Sequence, residues 1–111
     1  EFYLVGWGVP TFDSDYVFSY MYHSRTGSQG SWNATGYSDK EIDAQIQSLS
    51  KEIDIAKRDA AIAKIWAKVK DETIYLPIHH QTLSYGMNST VDVPVDVQNQ
   101  PKLKMVSFKG S

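Results

Sequence analysis

The spacing of apolar residues changes several times along the chain, and each change predicts an element. Phe2, Tyr3, Leu4 and Val5 form a short aromatic and β-branched run closed by Gly6, which reads as a buried strand entering a turn. Trp7 stands at the mouth of that strand. Gly8, Pro10 and Thr11 then predict a loop up to Asp13, after which Val17, Phe18 and Met21 recur at helical spacing. A short helix over 15–22 is expected, with Asp13 or Ser14 as its cap. Residues 23–36 are rich in Ser, Gly, Thr and Asn without periodicity, so an irregular connection anchored by Trp32 is expected there. Loops of this length inside a compact domain tend to be functional.

Ser38, Asp39, Lys40 and Glu41 spell a capping box, in which the Ser38 hydroxyl accepts from the Glu41 amide and the Glu41 carboxylate reaches back. Ile42, Ile46, Leu49 and Ile53 follow at steps of four, three and four, giving one apolar stripe. Asp54 caps a second long helix, which turns Ile55, Ile62, Ile65, Trp66 and Val69 to one face and Lys57, Arg58, Lys64, Lys68 and Lys70 to the others. Residues 74–78 are apolar around Pro77, whose missing N–H assigns them to a strand start, an edge or a bulge, and the strand is expected to resume over 79–85. Val alternates with Asp or Pro over 91–97, which suits an extended connector, and 103–108 alternates as a last strand does. No internal repeat is evident.

Composition narrows the partners. At 111 residues and 41% hydrophobic, the chain is long enough for one core. Eleven basic against thirteen acidic residues give a formal charge of −2 with no run of one sign, which argues against nucleic acid and anionic membrane. The absence of cysteine excludes disulfides, thiolate metal sites and a cysteine nucleophile. No apolar stretch reaches the roughly 18–20 residues of a membrane span, and the first ten residues lack a signal-peptide pattern. Glu1-Phe2 and Gly110-Ser111 match dipeptides encoded by common cloning sites, and the chain reads as a piece of a longer protein. Most of its Tyr and Trp residues lie before residue 38, among Gly and Ser, as on a binding surface, although aromatic rings build cores equally well.

Few groups offer chemistry. Asp13 and Asp15 flank a helix start, where acidic residues cap and complement the dipole; the functional variant has one carboxylate facing a pocket and pairing with a ligand's positive charge. His79 and His80, adjacent on an expected strand, point to opposite faces and do not chelate one ion, and a site joining either to His23 needs tertiary contacts. No nucleophile elbow, phosphate loop or dinucleotide fingerprint occurs, and Gly6-Trp7-Gly8 lacks the spacing these require. No cofactor and no catalytic residue is expected. The sequons at Asn33 and Asn88 are short enough to arise by chance.

In order, four stretches carry a resemblance: Phe2 to Gly8 with its Gly-Trp turn; Asp13 with Phe18; the helix start Tyr37-Ser38-Asp39-Lys40-Glu41-Ile42-Asp43; and Asp54 to Arg58 leading through a long helix to Tyr75-Leu76-Pro77-Ile78. Together they are similar to the C-terminal portion of family 5 solute-binding proteins, the peptide, dipeptide and nickel-type receptors of bacterial ABC transporters, over roughly residues 2–108. The resemblance implies an α/β fold, α+β as an isolated piece, holding part of one lobe of a type II periplasmic-binding-protein architecture with about three helices and short flanking strands. It further implies that residues 1–90 belong to one lobe, and that 91–111 form a connector and terminal strand returning to the other.

On the same ground the expected ligand-binding residues are Trp7, Gly8, Pro10, Phe12 and Asp13, with no metal site and no catalysis. In the family the Trp of the turn lines the cleft, and an aspartate about three residues later commonly pairs with a peptide amino terminus. Pro10 occupies that position here, and Asp13 instead matches a helix-capping aspartate; the Trp7-Gly8-Val9-Pro10 stretch looks closer to nickel-type members. The implied ligand is a peptide, an opine, a sugar or a metal chelate. The implied partners are an ABC importer permease and the missing N-terminal portion of the same protein, in the periplasm or lipid-anchored outside the cytoplasm, with self-association of the fragment expected. Two alternatives remain: an interaction module in which Trp7 is a core residue, and a metal hydrolase using His23, His79 or His80.

Overall fold

A computed structural model describes residues 3–96 and 98–109. The expectations for Glu1, Phe2, Val97, Gly110 and Ser111 therefore lie outside the described residues. At a coarse level the fold is mixed α and β, with helices and one two-stranded sheet. The chain forms two compact units, residues 1–77 and residues 78–111, whereas the sequence reading begins its connector at 91.

The first unit is built by three helical segments. Helix α1, Ser14–Val17, starts at Asp13, whose carboxylate accepts from the Asp15 amide, and runs directly into a π turn, Phe18–Tyr22. The π turn is closed by the His23 amide donating to the Phe18 carbonyl at 2.9 Å. Helix α2, Lys40–Leu49, buries Ile42, Ile46 and Leu49, the stripe that the spacing predicts. Ile53, assigned to the same stripe, is instead 96% exposed, because α2 ends at Leu49 and the stripe loses its helical register there. The cap is also one residue later than the capping box predicts: Asp39 accepts from the Glu41 and Ile42 amides, while Ser38 Oγ accepts from Ser24 Oγ at 2.8 Å. A carboxylate is a stronger acceptor for two amides than a hydroxyl, so Asp39 takes the cap. The Glu41 carboxylate, rather than reaching back, accepts from Gln45 Nε2.

Helix α3, Ile55–Asp71, is capped by Asp54 as its sequence predicts, the carboxylate accepting from the Lys57 amide. Ile65 and Val69 are buried and Ile62 is half-buried, whereas Ile55 stands exposed on the first turn, ahead of the point where α3 meets its neighbours. These side chains join Phe18, Met21, Tyr22, Ile42, Ile46 and Leu49 in one core. Each fully buried side chain of this size contributes roughly 1.5–3 kcal/mol. Trp66 seals the α1 side: its ring lies 4.6 Å from that of Phe18, and its Nε1 donates to Ser14 Oγ at 3.0 Å.

The irregular connection 23–36 is anchored by Asn33 and not by Trp32, which is 59% exposed. Asn33 Nδ2 donates to the carbonyls of His23 and Tyr37, and its Oδ1 accepts from Thr35 Oγ1 and the Gly36 amide. An amide side chain satisfies two donors and two acceptors at once, which an indole does not. The connection then returns along the π turn, with the Gly30 amide donating to the Ser19 carbonyl and the Trp32 amide to that of Tyr20. Gly30 has φ +68°, and a Cβ there would collide with the carbonyls of His23 and Ser24, so only glycine fits.

The strands expected over 2–5 and 74–85 do not form among the described residues. Leu4 is 79% exposed and Leu76, Ile78 and Leu83 are exposed as well, which corrects the reading of a buried strand before Gly6. A strand exists only where a neighbour accepts its ladder bonds, and neither segment has one. In the second unit, β1, Val91–Asp92, pairs antiparallel with β2, Ser107–Phe108, in register Val91↔Phe108 and Asp92↔Ser107. Part of the expected connector is thus a short strand. The expected terminal strand is cut to β2, because Leu103–Met105 winds into a 3₁₀ turn. Asp96 organises the bend between them, its Oδ1 accepting from the Gln98 and Gln100 amides and its Oδ2 pairing with Lys102 Nζ at 2.6 Å.

Candidate functional site

The segment between Trp7 and α1 is set by local bonds. The Phe12 amide donates to the Val9 carbonyl at 3.1 Å, closing a turn over Pro10 and Thr11, and Thr11 Oγ1 accepts from the Asp13 amide. Phe12 is forced to φ +55°, a conformation that favours glycine, and its ring is 69% exposed. Pro10 is exposed on the same turn. Around Gly6 and Gly8 an added Cβ would meet nothing within 4 Å, so the backbone beside Trp7 faces open space.

Trp7 is half-buried against the edge of the core. Its ring centroid lies 5.6 Å from Trp32 in an edge-to-face arrangement, 6.1 Å from Tyr16 and 6.4 Å from Tyr20, and Tyr16 and Tyr20 pack on each other at 4.6 Å. The i,i+4 spacing of Tyr16 and Tyr20 across α1 and the π turn puts both rings on one side. The indole N–H of Trp7 is buried and makes no hydrogen bond among the described residues. A buried donor left unmade costs about 1–3 kcal/mol.

Beside these rings opens a cleft of about 400 Å³, lined by Thr11, Asp13, Asp15, Tyr16, Ser19, Tyr20 and Arg58. Its two carboxylates are not equivalent. Asp13 Oδ1 receives both the Asp15 amide at 2.9 Å and Arg58 Nη2 at 3.0 Å, and the Arg58 hydrogen bond, then the backbone one, holds its carboxyl below the ordinary value. Arg58 also donates from Nε to the Leu49 carbonyl, tying the start of α1 to α3 and the end of α2. Asp15 moves the other way: burial first, then the neighbouring Asp13 charge, raises its pKa, and its side-chain donor is Ser19 Oγ at 3.5 Å.

Of the five ligand-binding residues read from the sequence, Asp13 alone lines this cleft; Trp7 adjoins it through the Tyr16 and Tyr20 rings, and Gly8, Pro10 and Phe12 belong to the turn beside it. Arg58, Tyr16, Tyr20 and Ser19 line the cleft without standing out as site residues in the sequence. The helical spacings Asp15/Ser19 and Tyr16/Tyr20 are the local signal for three of them, while the Asp13–Arg58 pair spans 45 residues and leaves no local trace.

His23 is buried and engaged at both ring nitrogens, with Nδ1 2.8 Å from the Ser24 carbonyl and Nε2 3.0 Å from Gln47 Nε2. The Gln47 amide as donor to Nε2 assigns the ring proton to Nδ1, which donates to Ser24. Among the described residues no group of three His, Cys, Asp or Glu side chains is arranged to hold a metal ion, and no helix is long and apolar enough to cross a membrane. A second open groove of about 430 Å³, lined by Ala44, Gln47, Leu49, Lys57 and Ala61 among others, lies between α2 and α3 without clustered carboxylates or histidines. No family model matches the chain, and neither a curated protein nor a solved structure matches it.

Proposed function

We propose that the chain is the C-terminal part of an extracytoplasmic solute-binding protein of the family 5 type, which captures a peptide or a similar small solute and delivers it to an ABC importer permease. The observation that carries this reading is the ring cluster of Trp7, Tyr16, Tyr20 and Trp32, of which Tyr16 and Tyr20 line an open cleft together with the Asp13–Arg58 pair. Rigid rings supply broad apolar contact at small entropic cost, and the open backbone at Gly8 leaves a ligand room to approach. The Asp13–Arg58 pair also joins two of the four sequence stretches on which the family likeness rests.

The exposed apolar segments support the same reading from another side. No described residue of 78–109 is buried, and Ile78, Leu83, Tyr85, Met87, Leu103, Met105 and Phe108 all face solvent. Surface of that kind is covered in a working protein. On this proposal the cover is the remainder of the polypeptide, the ligand site is one wall of a cleft whose other wall lies there, and the protein works in the periplasm or anchored outside the cytoplasm. Binding without catalysis is the proposed chemistry; the solute is a peptide, an opine, a sugar or a metal chelate.

A structural reading of Trp7 is favoured by its packing against the core edge, and one substitution separates the two. In the full-length protein, with the solute identified by mass spectrometry of what co-purifies, Trp7→Ala is expected to weaken binding at least tenfold by calorimetry while the melting temperature falls by only a few degrees. Unchanged affinity with a large loss of melting temperature contradicts the proposal.

A further inference from the structure

The chain carries three asparagines, Asn33, Asn88 and Asn99, and the structure places them in unlike surroundings. An asparagine loses its carboxamide without an enzyme when the amide nitrogen of the next residue gives up its proton and attacks Cγ. The step needs that proton open to solvent base, a carboxamide free to meet the nitrogen, and no negative charge against it. At Asn33 the carboxamide is buried and bonded at both Nδ2 and Oδ1, and the following Ala34 amide donates to the Trp32 carbonyl at 2.9 Å. At Asn99 the following Gln100 amide donates to Asp96 Oδ1 at 2.9 Å, so removing its proton sets a second negative charge against that carboxylate.

Asn88 has neither restraint. It is exposed at the head of the turn 88–91, which the Val91 amide closes by donating to the Asn88 carbonyl at 3.0 Å. The Ser89 amide and Asn88 Nδ2 make no hydrogen bond among the described residues. Asn88 Oδ1 accepts from the Thr90 amide at 2.9 Å and from Thr90 Oγ1 at 2.8 Å. Two donors thus point at the atom on which negative charge develops when Cγ is attacked.

We propose that Asn88 is a site of spontaneous deamidation, singled out among the three asparagines by the native fold. Hydroxide takes the Ser89 N–H proton, the nitrogen lone pair forms a bond to Asn88 Cγ, and the Cγ–Nδ2 bond breaks. Ammonia leaves, its third hydrogen supplied by water. The five-membered imide then takes up one water. Opening at the side-chain carbonyl restores the chain with aspartate at 88; opening at the backbone carbonyl routes the chain through Cγ as an isoaspartyl link. Aspartate keeps an acceptor for both Thr90 donors and adds one negative charge. The isoaspartyl link lengthens the backbone by one carbon just ahead of Thr90, whose carbonyl accepts from the Lys109 amide at 2.8 Å, and of the Val91↔Phe108 register. The pairing of β1 with β2 is lost in that product. None of this chemistry depends on the proposed function.

The test incubates the 111-residue chain in mildly alkaline buffer, once native and once in concentrated urea, and follows the three asparagines by peptide mass mapping. Native Asn88 is expected to convert at least about tenfold faster than native Asn33 or Asn99, with both aspartate and isoaspartate found at 88. The excess of Asn88 over Asn99 is expected to be at least about threefold greater in the native chain than in urea, where the Asp96 bond to the Gln100 amide is gone. Ser89→Pro, which removes the attacking N–H and suits the second position of the turn, is expected to abolish the conversion. The isoaspartyl form, separated by chromatography, is expected to show displaced Val91 and Lys109 amide signals by NMR. Conversion of native Asn33 or Asn99 at the rate of Asn88, the same ratio in urea, or conversion persisting in Ser89→Pro overturns the site. Unmoved Val91 and Lys109 signals overturn the effect on β1.

Discussion

Residues 1–77 and 78–111 draw on similar residues and reach opposite outcomes. In the first region Ile42, Ile46, Leu49, Ile65 and Val69 are buried; in the second Leu83, Tyr85, Met87, Leu103, Met105 and Phe108 are exposed. The difference lies in where the backbone finds its partners. A helix satisfies its own amides and needs only another apolar face, which α2, α3 and the π turn offer one another. An extended segment needs a neighbouring strand for every residue, and among the described residues of 78–111 pairing is limited to β1 with β2, two residues each, and an isolated bridge between Val95 and Pro101. Apolar composition alone therefore does not make a core.

The sharpest way to break this comparison is a matched pair of truncations. Ile65→Ala, fully buried, is expected to cost about 2–5 kcal/mol in urea unfolding of the chain, whereas Leu103→Ala, exposed, is expected to change stability by less than about 0.5 kcal/mol. Comparable losses at the two sites would mean that 78–111 carries a core of its own. Next in size is the buried amide in the irregular connection. Asn33→Ala leaves the His23 and Tyr37 carbonyls and the Gly36 amide without their partner, at a cost of about 2–3 kcal/mol. Trp32→Ala, at the residue the sequence favours as anchor, is expected to cost less; the reverse order in thermal melts would restore Trp32 to that role.

The smallest effects, and the most specific, come from the paired aspartates. Asp13 has its pKa lowered, chiefly by Arg58, from 3.8, so its contribution is present above 3.8 and is lost as the pH falls through the lower folded value. Asp15 has its pKa raised, chiefly by burial, so its contribution is present below 3.8 and is lost as the pH rises through the higher folded value. At pH 7 Asp13→Asn is therefore expected to lower the melting temperature and Asp15→Asn to raise it, each by a few degrees because both groups remain within reach of solvent. Both differences shrink toward acid pH. Shifts of the same sign at pH 7 would contradict the assignment of Arg58 to Asp13.

What the sequence made legible follows the same division. The caps at Asp13 and Asp54, the stripe Ile42–Ile46–Leu49 and the burial of Ile65 and Val69 depend on neighbours within one or two helical turns, and each is where its spacing predicts. The capping box places the cap one residue early because Ser38 and Asp39 both have cap chemistry; the carboxylate is the stronger acceptor for the two amides, and Ser38 is engaged by Ser24. Asn33 as anchor and the Asp13–Arg58 tie are long-range or multi-partner arrangements with no periodic signal. The segments 2–5 and 74–85 are legible in the sequence as apolar, but pairing is a property of two segments and cannot be read from one. At the site, Trp7 was legible as an aromatic on a glycine-flanked turn; the partition of roles between Asp13 and Asp15 required knowing where Arg58 ends.

The helices of residues 1–77 already bury a core, whereas no described residue of 78–109 is buried. Amide hydrogen exchange on the dilute 111-residue chain, and on the same residues within the longer protein proposed above, measures this directly. The prediction is protection of the α2 and α3 amides in both, with 78–109 exchanging freely in the chain alone and protected in the longer protein. Strong protection of 78–109 in the isolated chain, matching that of the helices, would contradict it.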